Sequence, residues 1–354
     1  MLILQIIQIL YEPILLMNIL VIRNDKLGDF VLTLPCYIML KTAFPEAKVS
    51  VLVPEYTAGI ANACPYIDQV IIDPGKSTLV GLSDLVKKLR ALQFDSVITL
   101  FSTTHIGIAV FLAGVKYRLA PATKIAQLFY NHRLRQWRSR SEKPEYAYNL
   151  DLIKEFLLDQ GIHNTPDPVP PYLSFDENVI FQLRKQFCKQ FSIDENKKLV
   201  FIHAGSGGSA NNLSLEQYAQ LAATLNSGNK YTLILTAGPG EENKIAALSK
   251  LMLDNPHVVY HSKLGLVNFA QHIAFSDLFI SGSTGPLHIA GALNVPTAAF
   301  YTRRRSATSL RWQTLNSPER RLAFTPTETA EEMDMSQIDI EAAANEIRDN
   351  FLKI

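Results

Sequence analysis

The sequence has few of the residues that mark secreted or metal-binding proteins. Its 354 residues include three cysteines, Cys36, Cys64 and Cys188, and no two of them lie close together. This spacing argues against a disulfide framework and against a zinc site, and it suits a reducing cytoplasm. The eight histidines are scattered along the chain. We therefore expect neither a metal site nor a cofactor.

The chain also has almost no net charge. Its 34 Lys and Arg nearly balance its 33 Asp and Glu, which gives a formal net charge of +1. A protein that binds nucleic acid through its overall field needs a clear positive excess, so nucleic acid is not an expected partner. The length and a hydrophobic fraction of 47% are typical of a globular protein with two domains.

The first 16 residues are mostly Leu and Ile but lack the features of a targeting segment. No basic region and no small-residue cleavage site accompany them, which argues against a secretory signal. Gln5, Gln8, Glu12 and Pro13 interrupt the apolar run, so it is too short and too broken to span a bilayer. We interpret residues 1–16 as an N-terminal extension, with a weak anchor at a membrane surface as the alternative.

Two series of alternating apolar strands and helices follow. Strands are predicted at 18–23, 48–53, 69–73, 96–101, 198–203, 231–236, 277–280 and 297–301, and helices at 30–44, 83–92, 215–225, 286–293 and 336–352. Continuous apolar strands separated by helices are typical of parallel sheets covered on both faces. A segment with four prolines, 163–174, separates a first α/β domain at 17–162 from a second at 175–330.

The loop after the strand at 277–280 has the composition of a phosphate site. It is rich in Ser, Thr and Gly, and Pro286 opens the helix that follows. The first N–H groups of a helix have no partner within it, and the helix dipole favours an anion there. Ser283, Thr284 and His288 add side-chain donors. An ordinary strand-to-helix turn with a core histidine is the alternative.

A second glycine-rich loop matches the dinucleotide fingerprint in letters only. Gly205, Gly207 and Ala210 have the required spacing, but residues 211–214 intervene before the helix. No acidic residue ends the next strand, where a ribose ligand is expected. The sequence therefore disfavours an NAD-dependent dehydrogenase.

Three motifs in order resemble glycosyltransferase family 9, the ADP-heptose:lipopolysaccharide heptosyltransferases. Residues 18–29, which end in Leu-Gly-Asp, are similar to the opening of that family, and residues 205–209 and 283–290 resemble its two donor-phosphate loops. The resemblance implies a GT-B fold, with two Rossmann-like domains whose parallel sheets face a central cleft. The acceptor would bind on the N-terminal side and the sugar nucleotide on the C-terminal side. The final segment, 331–354, would pack back on the N-terminal domain.

The resemblance also implies an activity. It indicates an inverting, metal-independent glycosyltransferase that moves heptose or a related sugar from a nucleotide diphosphate sugar, foremost ADP-heptose. The acceptor would be a lipopolysaccharide core or a lipid A-linked sugar, and the enzyme would be cytoplasmic, in peripheral contact with the cytoplasmic face of the inner membrane. A non-catalytic GT-B protein that binds a sugar nucleotide or glycan is the alternative. A sugar-nucleotide epimerase fits poorly, because it would leave a basic acceptor-side segment without a role.

Inverting transfer needs a base that takes the proton of the acceptor hydroxyl as it attacks the anomeric carbon. The resemblance assigns this role to Asp29. The alternative reading is that Asp29 caps the helix predicted to begin at Phe30. Asp25 is the second candidate for the base, and with Lys26 it is also a candidate contact of the acceptor.

The donor contacts implied by the resemblance lie in both phosphate loops. Two departures from the family concern them: Asn211 and Asn212 stand where the family carries a lysine, and Ser283 stands where it carries an aspartate. Both departures lie where the family contacts its donor. Arg303 is the candidate replacement cation, since guanidinium groups suit phosphate oxygens, although a solvated surface run is the alternative. The predicted donor contacts are Ser206, Gly207, Asn211, Ser283, Thr284, Gly285, His288 and Arg303.

On the acceptor side, two polar residues follow the strand at 96–101, at the sheet edge where ligands bind. A basic segment, 116–143, contains aromatic side chains and no acidic residue before Glu142. We expect it to meet an anionic acceptor at the membrane face; nucleic-acid binding and a solvated loop are the alternatives. The candidate acceptor contacts are Asp25, Lys26, Ser102, Thr103, Arg133 and Arg135.

Overall fold

The computed structural model describes residues 17–75, 78–205 and 211–353, and the predicted extension at 1–16 lies outside them. Two parallel six-stranded sheets form the frame, which confirms the predicted α/β architecture. The first sheet contains β1 (Asn18–Ile22), β2 (Lys48–Val53), β3 (Gln69–Ile72), β4 (Ser96–Thr99), β5 (Tyr117–Pro121) and β6 (His132–Leu134), in the order β3-β2-β1-β4-β5-β6.

The second sheet has the same strand number and a related order. It contains β7 (Leu199–His203), β8 (Thr232–Ala237), β9 (His257–His261), β10 (Leu278–Gly282), β11 (Thr297–Phe300) and β12 (Arg321–Phe324), in the order β12-β11-β10-β7-β8-β9. In each sheet the first strand along the chain is central, so the order reverses beside it. Such a reversal opens a crevice at the carboxyl ends of the strands.

Helices cover both sheets. Those of the first half are α1 (Leu27–Val31), α2 (Leu34–Ala43), α3 (Ala58–Ala63), α4 (Leu79–Leu92), α5 (Thr104–Leu112) and α6 (Glu145–Asp159). Those of the second half are α7 (Glu177–Phe191), α8 (Leu215–Leu225), α9 (Glu242–Leu251), α10 (Leu266–Ala274), α11 (Gly285–Ala292) and α12 (Ile340–Ile347). Within residues 17–75, 78–205 and 211–353, none of the helices has the length and apolar character needed to cross a bilayer.

Strand β1 shows how the sheets are buried on both faces. Ile19 and Val21 belong to the hydrophobic cluster that contains α2 and α6, whereas Leu20 and Ile22 belong to the opposite cluster, under α4 and α5. Successive side chains of a strand point to opposite faces, so an uninterrupted apolar strand serves two helical layers.

The helix predicted at 30–44 is in fact two helices. The first, α1, begins earlier, at Leu27, and the second begins at Leu34 with Pro35 in its first turn. Proline lacks an N–H and its ring disfavours a helical residue before it, so one continuous helix could not pass this point. As a result, Asp29 lies inside the first turn of α1.

The predicted packing of the final helix on the N-terminal domain is wrong. Helix α12 packs on α8, within the core cluster of the second domain. Its apolar face, spaced at Ile340, Ala343 and Ile347, fits that surface. The chain end is also held there, because Tyr231 donates its hydroxyl to the carbonyl of Leu352 at 2.8 Å.

Candidate active site

A cleft of about 1200 Å³ lies between the two domains. One wall consists of the loop and helix that follow β1, with Phe101 after β4. The other wall consists of segments that follow strands β7 to β11. Both walls are therefore built at the carboxyl ends of parallel strands, the edge at which ligands bind in α/β proteins.

Asp29 lies on the N-terminal wall with Asp25 and Lys26. Its side chain is 15% exposed, and it accepts a hydrogen bond of 2.6 Å from Arg23. The residue that precedes α1 is Lys26, and Asp29 is the third residue of the helix. The interpretation of Asp29 as the helix cap is therefore wrong.

Arg23 connects the two aspartates of this loop with helix α6. Its guanidinium is 2% exposed and donates to Asp25 at 2.8 Å, to Glu145 at 3.0 Å and to Asn149 at 3.1 Å. Burial alone would lower the pKa of Arg23, but the surrounding carboxylates raise it above its ordinary value. Arg23 therefore remains a fixed cation beneath Asp29.

Glu145 is the centre of this buried network. Its side chain is 1% exposed and forms ion pairs with Arg23, Arg138 and Arg311, so three arginines share one carboxylate. Burial raises the pKa of Glu145, but the attraction of the three guanidinium groups outweighs burial and the pKa lies below its usual value. Arg311 belongs to the second domain, so this network also joins the domains.

The pKa of Asp29 is raised to about 6. Burial is the largest cause, since it penalises the carboxylate, and the attraction of Arg23 opposes it. The like charges of Asp25 and Glu145 raise the pKa further. A carboxyl group with this pKa is mostly ionised at neutral pH and is still a useful proton acceptor.

The predicted phosphate loop between β10 and α11 forms the facing wall. Ser283, Thr284 and Gly285 all line the cleft. Thr284 precedes the helix, and its hydroxyl accepts from the N–H of Leu287 at 3.4 Å. The N–H of Gly285, at the first position of the helix, is left at the cleft wall, where an anion is favoured.

His288 lies on the same wall and is almost fully buried, at 2% exposure. Burial lowers its pKa to about 4, so the ring is neutral at physiological pH. Its Nδ1 has no hydrogen-bond partner in the part of the chain that the structure describes. A neutral imidazole carries one N–H donor, and the ring lines the cleft wall.

Two glycines allow the walls to meet at the base of the cleft. A Cβ built on Gly28 would lie 2.8 Å from Cδ2 of His288, and one built on Gly285 would lie 2.7 Å from Cδ2 of Leu27. Helices α1 and α11 therefore approach each other closely across the domain boundary, because neither glycine has a side chain.

The first donor loop is only partly described. Ser206 and Gly207 lie outside the described residues. Asn211 is exposed and lines the cleft. Its neighbour Asn212 instead supports the loop from within: its amide donates to the carbonyl of Ala204 at 3.1 Å and accepts the hydroxyl of Tyr218 at 2.6 Å.

Sequence reasoning missed an acidic residue at the donor wall. It expected no carboxylate after β8, but Glu241 lines the cleft there. The chain turns back after the strand, so that the Glu241 carboxylate accepts the N–H of Gly238 at 2.9 Å. Only the fold of this turn brings a residue four positions beyond the strand back to its end.

The predicted cation, Arg303, points away from the cleft wall. Its guanidinium donates to the carbonyl of Ala330 at 2.6 Å, and Arg304 lines the cleft in its place. Of the predicted acceptor contacts, four lie outside the cleft wall. Thr103 caps α5 by accepting the N–H of Ile106, Ser102 is buried, and Arg133 and Arg135 are exposed on the neighbouring surface.

No group of three or more His, Cys, Asp or Glu side chains within the described ranges is arranged to hold a metal ion. Two of the carboxylates that line the cleft, Asp25 and Asp29, instead pair with Arg23.

Comparison with known proteins places the chain in a family. The model of glycosyltransferase family 9 (heptosyltransferase) matches residues 82–330. The chain belongs to this family. A candidate glycosyltransferase of Haemophilus influenzae is 47% identical over 93% of this chain and 95% of its own length. The lipooligosaccharide heptosyltransferase 2 of Haemophilus ducreyi is 25% identical over 79% of this chain and 81% of its own.

The fold agrees with this assignment. The ADP-heptose lipopolysaccharide heptosyltransferase II of Escherichia coli superimposes with a TM-score of 0.75 at 20% identity, over 95% of this chain and 99% of its own. The family 9 chain thus has the predicted GT-B fold, and it is a glycosyltransferase.

Proposed function

We propose that this glycosyltransferase moves heptose from ADP-heptose to a lipopolysaccharide core acceptor, with inversion, without a metal ion, and with Asp29 as the general base. The observation that carries the proposal is the position of Asp29, a carboxylate with a raised pKa on one wall of the cleft, opposite the open helix start at Gly285. The names of the relatives supply the sugar and the acceptor: a lipooligosaccharide heptosyltransferase and an ADP-heptose lipopolysaccharide heptosyltransferase.

The proposed reaction exchanges one bond for another at the anomeric carbon. Asp29 takes the proton of the acceptor hydroxyl while the hydroxyl oxygen bonds to that carbon. The bond to the diphosphate breaks on the opposite face, so the configuration inverts. The charge that develops on the leaving phosphate is met by the N–H of Gly285, by His288 and by Arg304, which all line the facing wall.

Glu241 is the proposed ligand of the nucleotide ribose. It lies near the end of the second strand of its domain, where a carboxylate accepts ribose hydroxyls in nucleotide-binding folds. Ser283 and Asn211, at the same wall, would contact the diphosphate or sugar. Ser206 and Gly207 are proposed as further donor contacts on the basis of the family motif.

The proposed acceptor explains the basic surface beside the N-terminal wall. A lipid A-linked core sugar lies at the cytoplasmic face of the inner membrane, and its phosphates would attract Arg133 and Arg135, which are exposed there. Asp25 and Lys26 line the cleft itself and are the proposed contacts of the acceptor sugar.

The test compares two variants of the catalytic loop. Asp29→Asn keeps the shape of the side chain but removes the base, so we expect transfer of heptose to fall by roughly 10²- to 10⁴-fold. Donor binding should persist, because Asp29 lies on the acceptor wall. Asp25→Asn is the comparison variant: Asp25 is also bound to Arg23, but it is proposed to contact the acceptor rather than to take the proton, so its loss should reduce transfer less than the loss of Asp29. If Asp25→Asn abolished transfer while Asp29→Asn remained active, the assignment of the base would be reversed.

A second candidate function, binding without catalysis, is favoured by one observation. Asn211 and Ser283 line the donor wall at positions where the family motif has a lysine and an aspartate. A thermal-shift panel with ADP-, GDP-, UDP- and CMP-linked sugars tests the donor, because a ligand of the folded state raises the unfolding midpoint. A shift with ADP-heptose together with measurable transfer supports the enzyme, whereas a shift without transfer to any core acceptor supports the binding protein.

A further inference from the structure

Helix α5 is apolar on all sides but lies at the surface of the first domain. Its sequence, Thr-His-Ile-Gly-Ile-Ala-Val-Phe-Leu, contains no Asp, Glu, Lys or Arg. Ile106, Ala109 and Val110 are buried against the sheet, whereas Phe111 is 51% exposed and Leu112 is 47% exposed. A helix that is hydrophobic all round is normally surrounded by protein or lipid.

A neighbouring 3₁₀ turn, Ile125–Phe129, extends this apolar surface. Ile125 is 69% exposed and Leu128 is 72% exposed, and residues three apart in a 3₁₀ helix project on the same side. The turn packs directly on α5, since the rings of Phe111 and Phe129 are 6.1 Å apart. The four exposed side chains thus lie on adjoining segments, and we call them the α5 surface: Phe111, Leu112, Ile125 and Leu128.

The close fit between turn and helix depends on Gly107. A Cβ at this position would lie 3.0 Å from the ring of Phe129 and 3.2 Å from the carbonyl oxygen of Ala126. The turn that carries the exposed side chains of Ile125 and Leu128 therefore packs closely on α5. Ala126 is buried in this contact.

The α5 surface is bordered by cations. Lys116 and Lys124 are exposed, and the guanidinium of Arg118 lies over the ring of Phe111 at 5.5 Å. Residues 96–141 contain no aspartate or glutamate. Their basic residues are Lys116, Arg118, Lys124, Arg133, Arg135, Arg138 and Arg140.

This combination selects one kind of occupant. A second copy of the chain would bring like charges together around the apolar side chains, and a nucleic acid would leave the apolar side chains without a partner. An anionic bilayer meets both requirements, because leucine, isoleucine and phenylalanine enter the headgroup boundary while lysines pair with lipid phosphates.

We propose that the α5 surface docks this protein on an anionic phospholipid bilayer, with Lys116 and Lys124 at the headgroups. The inference deepens the proposed function and rests on it in one respect: a lipid-linked acceptor is reached from the bilayer surface. Lys124 follows the carboxyl end of β5, at the sheet edge that faces the cleft, whereas Lys116 precedes the amino end of that strand, so the surface runs along the outside of the first domain. The docked surface therefore adjoins the acceptor half of the enzyme.

The experiment measures binding of the full-length protein to vesicles by sedimentation, with no donor or acceptor present. Wild type should bind vesicles that contain phosphatidylglycerol and bind pure phosphatidylcholine vesicles much more weakly. The double variant Ile125→Glu, Leu128→Glu should lose binding by roughly a hundredfold or more, because it removes two apolar anchors and adds two negative charges. Lys116→Gln with Lys124→Gln should weaken binding by roughly thirtyfold.

Leu253→Glu is the matched control, since Leu253 is 81% exposed but lies on the second domain. It should bind vesicles as wild type does. An unchanged unfolding midpoint for each variant shows that it is folded. If the Ile125→Glu, Leu128→Glu protein bound as tightly as wild type, the proposal would be overturned and the binding would belong to another segment, such as residues 1–16. Absence of wild-type binding, or equal binding to neutral and anionic vesicles, would also overturn it.

Transfer to a deacylated, water-soluble core acceptor separates this proposal from the proposed function. The Ile125→Glu, Leu128→Glu protein should retain wild-type transfer in that assay while losing vesicle binding. Wild type that binds vesicles but transfers no sugar would contradict the proposed reaction and leave the docking surface supported.

Discussion

Asp29 combines two properties that rarely occur together in a carboxyl group. It is bound to an arginine, which favours the charged form, and yet its pKa is raised to about 6. The reason is that Arg23 is shared among three carboxylates, Asp25, Asp29 and Glu145, so its charge does not outweigh the cost of burial at Asp29. Asp29 is consequently a stronger base than an exposed aspartate.

The pH dependence of heptose transfer should follow this pKa. Because the base must be ionised, we expect kcat/KM to rise about tenfold per pH unit below pH 6 and to level off above it. Asp25→Asn removes a like charge near Asp29, so it should lower the pKa of Asp29 and move the rising part of the kcat/KM profile to lower pH. Initial rates from about pH 5 to 8 measure the effect, with the exposed Asp84→Asn as a control. If the rise of kcat/KM occurred at the same pH in Asp25→Asn as in wild type, a group other than Asp29 would control it.

The sequence identified the proposed base but not what sets its pKa. Asp29 follows a recognisable motif on the first strand, so it could be identified from a short stretch of chain. Arg23 and Glu145 are 122 residues apart, and no local pattern connects them. The same holds for Arg303 and Arg304: they are neighbours in a basic run, and only the backbone direction decides which of them faces the cleft.

Among the helices, α6 begins at a residue whose charge is needed, because Glu145 neutralises part of the charge of three arginines. Glu145, the first residue of this helix, should be indispensable because its loss leaves the buried Arg23 and the partly buried Arg138 and Arg311 without their shared carboxylate. We expect Glu145→Gln to destabilise the protein by about 3–5 kcal/mol at neutral pH. The control Glu142→Gln changes a carboxylate that is 61% exposed and should cost less than about 1 kcal/mol.

Urea unfolding at two pH values tests this interpretation. The pKa of Glu145 is lowered in the folded protein, so its contribution is present above the unfolded pKa and is lost as the pH falls through the folded pKa. The difference between wild type and Glu145→Gln should therefore shrink in acid. Equal stability of the two proteins at pH 7 would mean that the arginines find other partners.

The close contact between helices α1 and α11 leads to a second prediction. Gly28→Ala places a methyl group 2.8 Å from the buried ring of His288, closer than van der Waals contact allows. We expect the two walls to be pushed apart, with transfer reduced roughly tenfold or more and stability reduced by about 1–3 kcal/mol. Steady-state rates and thermal unfolding measure both effects.

Gly59→Ala is the control for that variant. Its added methyl group would meet only the side chain of Val267, at 3.0 Å, in another contact between the domains. Activity close to wild type is expected. If Gly28→Ala were as active as Gly59→Ala, close approach of α1 to α11 would not be needed for transfer.

For the whole molecule, the two domains share one hydrophobic cluster. It includes Val21 and Phe30 of the first domain together with Phe279 and Leu287 of the second. Since neither domain can lose this contact without exposing apolar surface, we expect a single cooperative unfolding transition. Calorimetry with and without ADP-heptose tests this: the whole transition should move to higher temperature. Two transitions, of which the donor moves only one, would contradict it.

The overall architecture was predictable because it repeats. Apolar strands alternate with helices twice along the chain, and that pattern alone indicates two parallel sheets. The position of the last helix was not predictable, because the apolar face of α12 has the same spacing whichever domain it covers. Helix α12 packs on the second domain because α8, which is distant in sequence, has the complementary face.

The shared carboxylate of Glu145 also has a consequence for synthesis on the ribosome. Until Arg311 has been made, the new N-terminal domain holds Asp25, Asp29 and Glu145 against only Arg23 and Arg138. At about 5–20 residues per second, this excess of negative charge lasts for roughly 10 to 30 seconds. The loop that carries Asp29 thus reaches its final electrostatic state only when Arg311 of the second domain pairs with Glu145.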